Sequence, residues 1–83
     1  MVTVFVPDIP EFLPLIRAAE KVEGCLVKPA QDGYWRLESQ RVLRFSRKAL
    51  GLGPAIWNSA LSGGFVGRIV EWDRDTMIIA SED

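Results

Sequence analysis

Residues 34–46, YWRLESQRVLRFS, decide the fold. Apolar and polar side chains alternate through Tyr34 to Glu38 and again through Arg41 to Phe45, the period of strands covered on one side. Trp35 and Leu37 are expected to face a core, leaving Tyr34, Arg36 and Glu38 outside, and Leu43 and Phe45 repeat the inward pattern. Ser39-Gln40 between the two runs suits a tight hairpin. Upstream, Gln31-Asp32-Gly33 is a turn signal whose glycine can take positive φ, and Cys25 to Lys28 reads as a short strand ended by Pro29. Residues 25–45 therefore predict a three-stranded antiparallel meander with an arginine-rich outer face.

Toward the N-terminus, Thr3 to Val6 is β-branched and aromatic, which suits a strand that Pro7 ends. Asp8 and Glu11 have the spacing of a capping box, and Pro10 fits an early helical position. Phe12, Ile16, Ala19 and Val22 recur at helical spacing opposite Arg17, Glu20, Lys21 and Glu23, with Gly24 as the stop. An amphipathic helix is expected over roughly residues 11–23, with Pro14 pushing its start toward the next turn.

Toward the C-terminus, Ser46 is placed to cap a single helical turn through Leu50. Gly51-Leu52-Gly53 then breaks the chain and Pro54 restarts a short helix, in which Ile56 pairs with Ala60 and Trp57 with Leu61. Ser62-Gly63-Gly64 ends it, and Phe65 to Asp73 and Thr76 to Ala80 flank Arg74-Asp75 as a last hairpin. The order β-α-β-β-β-α-β-β predicts an α+β fold: one small domain over residues 1–83, with an antiparallel or mixed sheet and two helices on one face.

A chain of 83 residues has room for one core. It buries only about 60 to 65% of the surface its unfolded form exposes, so a homo-oligomer is expected. Cys25 is the only cysteine, which rules out an internal disulfide and points to a reducing compartment. Val2 to Val6 lacks the basic flank of a signal peptide, and no run approaches the roughly 18 apolar residues of a membrane span. The expected location is cytoplasmic, with no membrane partner.

With no histidine and one cysteine, the chain lacks the ligands of ordinary zinc sites and the base of Ser-His or Cys-His catalysis. No metal and no cofactor is expected. A general base would have to be a carboxylate, a lysine or Tyr34 in a strongly shifting environment.

The net charge of −1 conceals an asymmetry. Residues 36–48 hold Arg36, Arg41, Arg44, Arg47 and Lys48 against Glu38, while residues 71–83 hold Glu71, Asp73, Asp75, Glu82 and Asp83 against Arg74. The candidate ligand site is Arg44, Ser46, Arg47 and Lys48, followed by Gly53 at the helix restart and by Trp57 and Asn58. Guanidinium groups grip carboxylate or phosphate in a bidentate manner, and an adjoining Trp and Asn add a flat surface and hydrogen bonds. Convergence of Arg44 and Arg47 requires the chain to turn at Ser46, since the two face opposite sides of an ideal strand.

Plainer roles compete at each position. Charged faces are commonly just solvated, Ser46 is a natural cap, and Trp35, Trp57 and Trp72 are natural core residues. Gly63-Gly64-Phe65-Val66-Gly67 resembles a phosphate loop but leaves a helix for a strand, the wrong direction. Glu71, Asp73 and Asp75 read as a charged hairpin end rather than paired acids.

Three functions follow as expectations. The first is a non-enzymatic binding domain, homo-oligomeric, which holds an anionic small molecule or an acidic protein surface on the basic segment. The acidic tail of a second copy is one such surface. The second is a small enzyme with a site between subunits, where Arg44, Arg47 and Lys48 orient a carboxylate or phosphate. The third, single-stranded nucleic-acid binding through Tyr34, Trp35, Arg36, Arg41 and Arg44, is disfavoured by a pI of about 5.4, far below the basic values usual for such domains.

Overall fold

The structure is a computed structural model that describes residues 1–82. Strand β1 (Val2–Pro7) leads through a 3-10 turn at Pro10–Phe12 into helix α1 (Leu13–Glu20). Strands β2 (Cys25–Gln31), β3 (Tyr34–Ser39) and β4 (Val42–Ser46) follow, then the single turns α2 (Arg47–Leu50) and α3 (Pro54–Asn58). Strands β5 (Phe65–Val66), β6 (Arg68–Trp72) and β7 (Thr76–Ala80) complete the chain.

The α+β class holds, with the strands divided between two antiparallel sheets, ordered β2-β3-β1-β5 and β4-β7-β6. In the first, β1 and β2 both run antiparallel to the β3 strand between them. They are joined by α1, which makes a split β-α-β unit. The expected meander is corrected here: β2 and β3 do form a hairpin, closed by Asp32 and Gly33 at φ 56° and 88°, but β4 leaves β3 and pairs with β7. Gln40-Arg41 is thus a crossover between sheets rather than a hairpin turn.

A second crossover divides the last hairpin. Phe65 and Val66 pair with β1, whereas Arg68 onward pairs with β7. Gly67, at φ 137° between them, could not be another residue without strain: a Cβ there would lie 2.8 Å from the Ala80 carbonyl oxygen.

The helix also begins and ends differently from expectation. Asp8 does not cap it; Ile9 precedes the 3-10 turn without a side-chain cap bond, and Asp8 Oδ1 instead accepts the indole N–H of Trp35 at 3.0 Å. Pro14 sits in the first turn of α1, where its missing N–H is harmless. The helix stops at Glu20, so Val22 is exposed instead of joining the apolar stripe, and Leu15 joins Phe12, Ile16 and Ala19 in the core. These four meet Val2, Val4, Val6 and Leu37 of one sheet, Leu43, Phe45, Met77 and Ile79 of the other, and Trp57 and Ala60 in one cluster. Among the described residues no helix is long and apolar enough to cross a membrane.

Candidate anion-binding cleft

The turn at Ser46 forms as the sequence implies: Ser46 Oγ accepts the Ala49 N–H at 3.4 Å, and Gly51 ends the turn in the left-handed region. It does not bring the candidate arginines together. Arg47 folds back into the protein, donating from Nε to the Arg74 carbonyl (2.9 Å), from Nη1 to the Leu52 carbonyl (3.0 Å) and from Nη2 to Asp75 Oδ1 (3.0 Å). Its side chain is only 17% exposed. Arg44 instead lies on the outer face of the second sheet, in one row with Ile78 and Glu71.

The remaining candidates disperse. Lys48 is exposed. Gly53 precedes α3 and its carbonyl accepts the Trp57 N–H at 3.0 Å, a structural task. Trp57 is fully buried, donates its indole N–H to the Asp73 carbonyl at 2.8 Å, and packs against Trp72 with ring centroids 5.2 Å apart. Asn58 is exposed beside a small cleft of about 280 Å³ between α3 and the β6–β7 turn.

The acidic segment is likewise engaged within the chain. Asp75 holds Arg47, and Asp73 Oδ1 accepts the N–H groups of Asp75 and Thr76, shaping the turn. Those backbone donors lower the Asp73 pKa, while a hydrogen bond with Asp73 raises that of Glu71. Asp83, also counted in the acidic tail, lies outside the described residues.

A more ordered cationic site occurs on the uncovered face of the first sheet. Alternation places Tyr34, Arg36 and Glu38 on that face, as expected, and the register sets Phe5 and Lys28 on either side of Arg36. Glu38 lies between Thr3 and Leu26 of the neighbouring strands, which leaves its side chain 11% exposed. Lys28 Nζ approaches its Oε1 at 3.5 Å and Arg36 Nε its Oε2 at 3.3 Å. A carboxylate this sheltered needs such partners. Glu38 meets Arg36 nearest at Nε, and among the described residues neither Nη group of Arg36 donates a hydrogen bond to the protein, so both remain for a ligand.

Next to this triad the chain forms a concavity. Pro29 interrupts β2, and the β2–β3 register shifts between Lys28 and Gln31. Since β2 is an edge strand, the missing proline N–H disrupts no ladder. The bulged segment walls a cleft of about 580 Å³ whose other sides are Phe5, Lys28, Tyr34 and Arg36, with Asp32 at its rim. That size is typical of small-molecule sites, about 300 to 1,000 Å³.

A second cleft, of about 560 Å³, gathers Arg41 and Arg44 with Val22, Val42 and Glu23 where the α1–β2 turn meets the crossover. Neither guanidinium has a carboxylate within 4.0 Å among the described residues, although Arg44 is near enough to Glu71 to act on its carboxyl. Ordering a free long side chain costs about 0.5 to 1.5 kcal/mol on binding, so the Glu38-anchored pair is the better prepared site. Lys28, Phe5 and the anchoring role of Glu38 were not predicted from the sequence. The only local signal was the shared outward parity of Arg36 and Glu38, because the rest depends on pairing between β1, β3 and β2.

No family model matches the chain. No curated protein matches it either.

Proposed function

We propose that the protein is a binding module for a small anion, held on the open face of the first sheet by Arg36 and Lys28. The observation that carries the reading is the Lys28–Glu38–Arg36 triad at the edge of a cleft, with the terminal fork of Arg36 left unused by the protein. A fork of this kind matches a carboxylate with two parallel N–H···O bonds. With Asp32 at the rim, the four charged side chains sum to zero, which favours a monoanion such as a carboxylate over a polyanion. The basic segment anticipated as the binding region thus contributes Arg36, in place of Arg44 and Arg47.

Acetate titration followed by backbone amide shifts tests this. The wild type is expected to show saturable shifts at Lys28, Tyr34 and Arg36, and Arg36→Gln to weaken binding at least tenfold. Arg41→Gln/Arg44→Gln should leave it unchanged. Equal acetate affinity in the wild type and Arg36→Gln contradicts the reading.

Self-association belongs to the same proposal, with one revision. Asp75 is already bound by Arg47 within the chain, so pairing of that acid between copies is not its basis. The oligomer is expected to sediment alike in low and high salt, and dissociation by salt alone would restore the charge-pairing explanation.

A further inference from the structure

We infer that the cleft selects a planar aromatic carboxylate over an aliphatic one. This rests on the anion reading above and concerns the ring that carries the charge.

Tyr34 follows Gly33 at the end of the β2–β3 turn and is 41% exposed. It is nevertheless held in place from behind. Its ring lies so close to Gly63 that a Cβ on that glycine would come within 2.7 Å of Tyr34 Cε1 and would also collide with the Phe5 carbonyl oxygen. Gly63, which the sequence offers only as a helix stop, lets the backbone support one side of the phenol ring while the ring still borders the cleft.

A second ring lines the same cleft. Phe5 is half-buried and faces Arg36 across the β1–β3 ladder. Tyr34 and Arg36 share a face two residues apart, a separation of about 6.6 Å along a strand. A ligand ring can therefore contact Tyr34 and Phe5 while its carboxylate meets the Arg36 fork. The guanidinium is tethered at Nε by Glu38 and the phenol is backed by Gly63, which reduces the ordering that each requires on binding.

The charge balance separates this ligand from nucleic acid, which offers the same combination of ring and anion. Glu38 and Asp32 cancel the formal charge of Lys28 and Arg36, so a chain of phosphates gains little from this face, whereas affinity for strands comes mainly from phosphate neutralisation.

Dissociation constants for acetate, benzoate and 2-naphthoate from amide shifts test the inference. In the wild type, benzoate should bind about tenfold tighter than acetate, and 2-naphthoate tighter still, as expected for one stacked ring. Tyr34→Ala should bring the affinity of both aromatic acids close to that of acetate measured on the same variant. Tyr34→Leu, which keeps bulk against Gly63 should alanine loosen the fold, should lose most of the same gain. Equal affinity for acetate and benzoate, with acetate still dependent on Arg36, overturns the aromatic inference alone. Absence of all saturable binding overturns the anion reading with it. An oligothymidylate that binds more tightly than benzoate and weakens steeply with salt also overturns the inference, in favour of a nucleic-acid surface.

Discussion

Replacing Arg47 with alanine should remove a large part of the molecule's stability margin, because its guanidinium joins three segments of the chain through three hydrogen bonds. One donor reaches the Leu52 carbonyl in the link between α2 and α3, and two reach Arg74 and Asp75 in the β6–β7 turn. Hydrogen bonds with a charged partner contribute about 1.5 to 3 kcal/mol each when sheltered. Arg47 is 17% exposed and Asp75 43%, so the freed acceptors recover some water and the loss falls to roughly 2 to 4 kcal/mol in all. A domain of this size has roughly 4 to 12 kcal/mol to lose, and the corresponding fall in Tm is about 10 to 25 °C. Urea unfolding followed by tryptophan fluorescence measures this, with the midpoint falling and the slope unchanged.

The companion variants identify which bonds matter. Asp75→Asn removes only the ion pair and should cost no more than about 1 kcal/mol, since both carbonyl bonds remain. Arg47→Lys keeps the charge without the planar fork and should recover less than half of the alanine loss. A cost below about 0.5 kcal/mol for Arg47→Ala, the range of ordinary surface changes, would refute the clamp and return Arg47 to the pool of free cations.

Gly63→Ala should destabilise by roughly 1 to 3 kcal/mol through overpacking and shift the Tyr34 ring resonances, whereas unchanged stability and ring shifts would remove the support assigned to Gly63. Carbon-detected titration should find the Glu71 carboxyl ionising above, and Asp73 below, their ordinary values; Glu71→Gln should leave Asp73 still depressed, because its backbone donors are the larger cause. The two act oppositely on stability. Asp73 contributes above its unfolded pKa and loses that contribution as pH falls through its lowered folded value; Glu71 contributes below its unfolded pKa and loses that as pH rises through its raised folded value. Burial pushes the Cys25 thiol up, so its alkylation near pH 8 should run slower than that of free cysteine and accelerate on urea unfolding.

Local signals carried much of this architecture. Ser46, Leu50 and Gly51 bound a helical turn because capping and left-handed exits are short-range, and the Trp35/Leu37 parity fixed which face of β3 looks inward. The division into two sheets left no such mark. The Ser39–Arg41 link reads equally as a hairpin or a crossover, and at the second crossover only the close approach of Gly67 to Ala80 marks the change of sheet. Arg47 belonged to a run of positive charge, yet its side-chain acceptors Arg74 and Asp75 lie 27 and 28 residues away. The cleft was hidden for the same reason: Phe5, Lys28 and Arg36 are neighbours through register alone.

The central claim is that an anion sits on the Arg36 fork beside Tyr34. Diffraction from crystals containing 4-bromobenzoate, with the bromine located by its anomalous signal, tests that claim most directly. The account predicts bromine in the cleft walled by Pro29 and the rest of the β2 bulge, with the carboxylate against Arg36 Nη1 and Nη2. Bromine between Arg41 and Arg44, with the first sheet's face left bare, would contradict it.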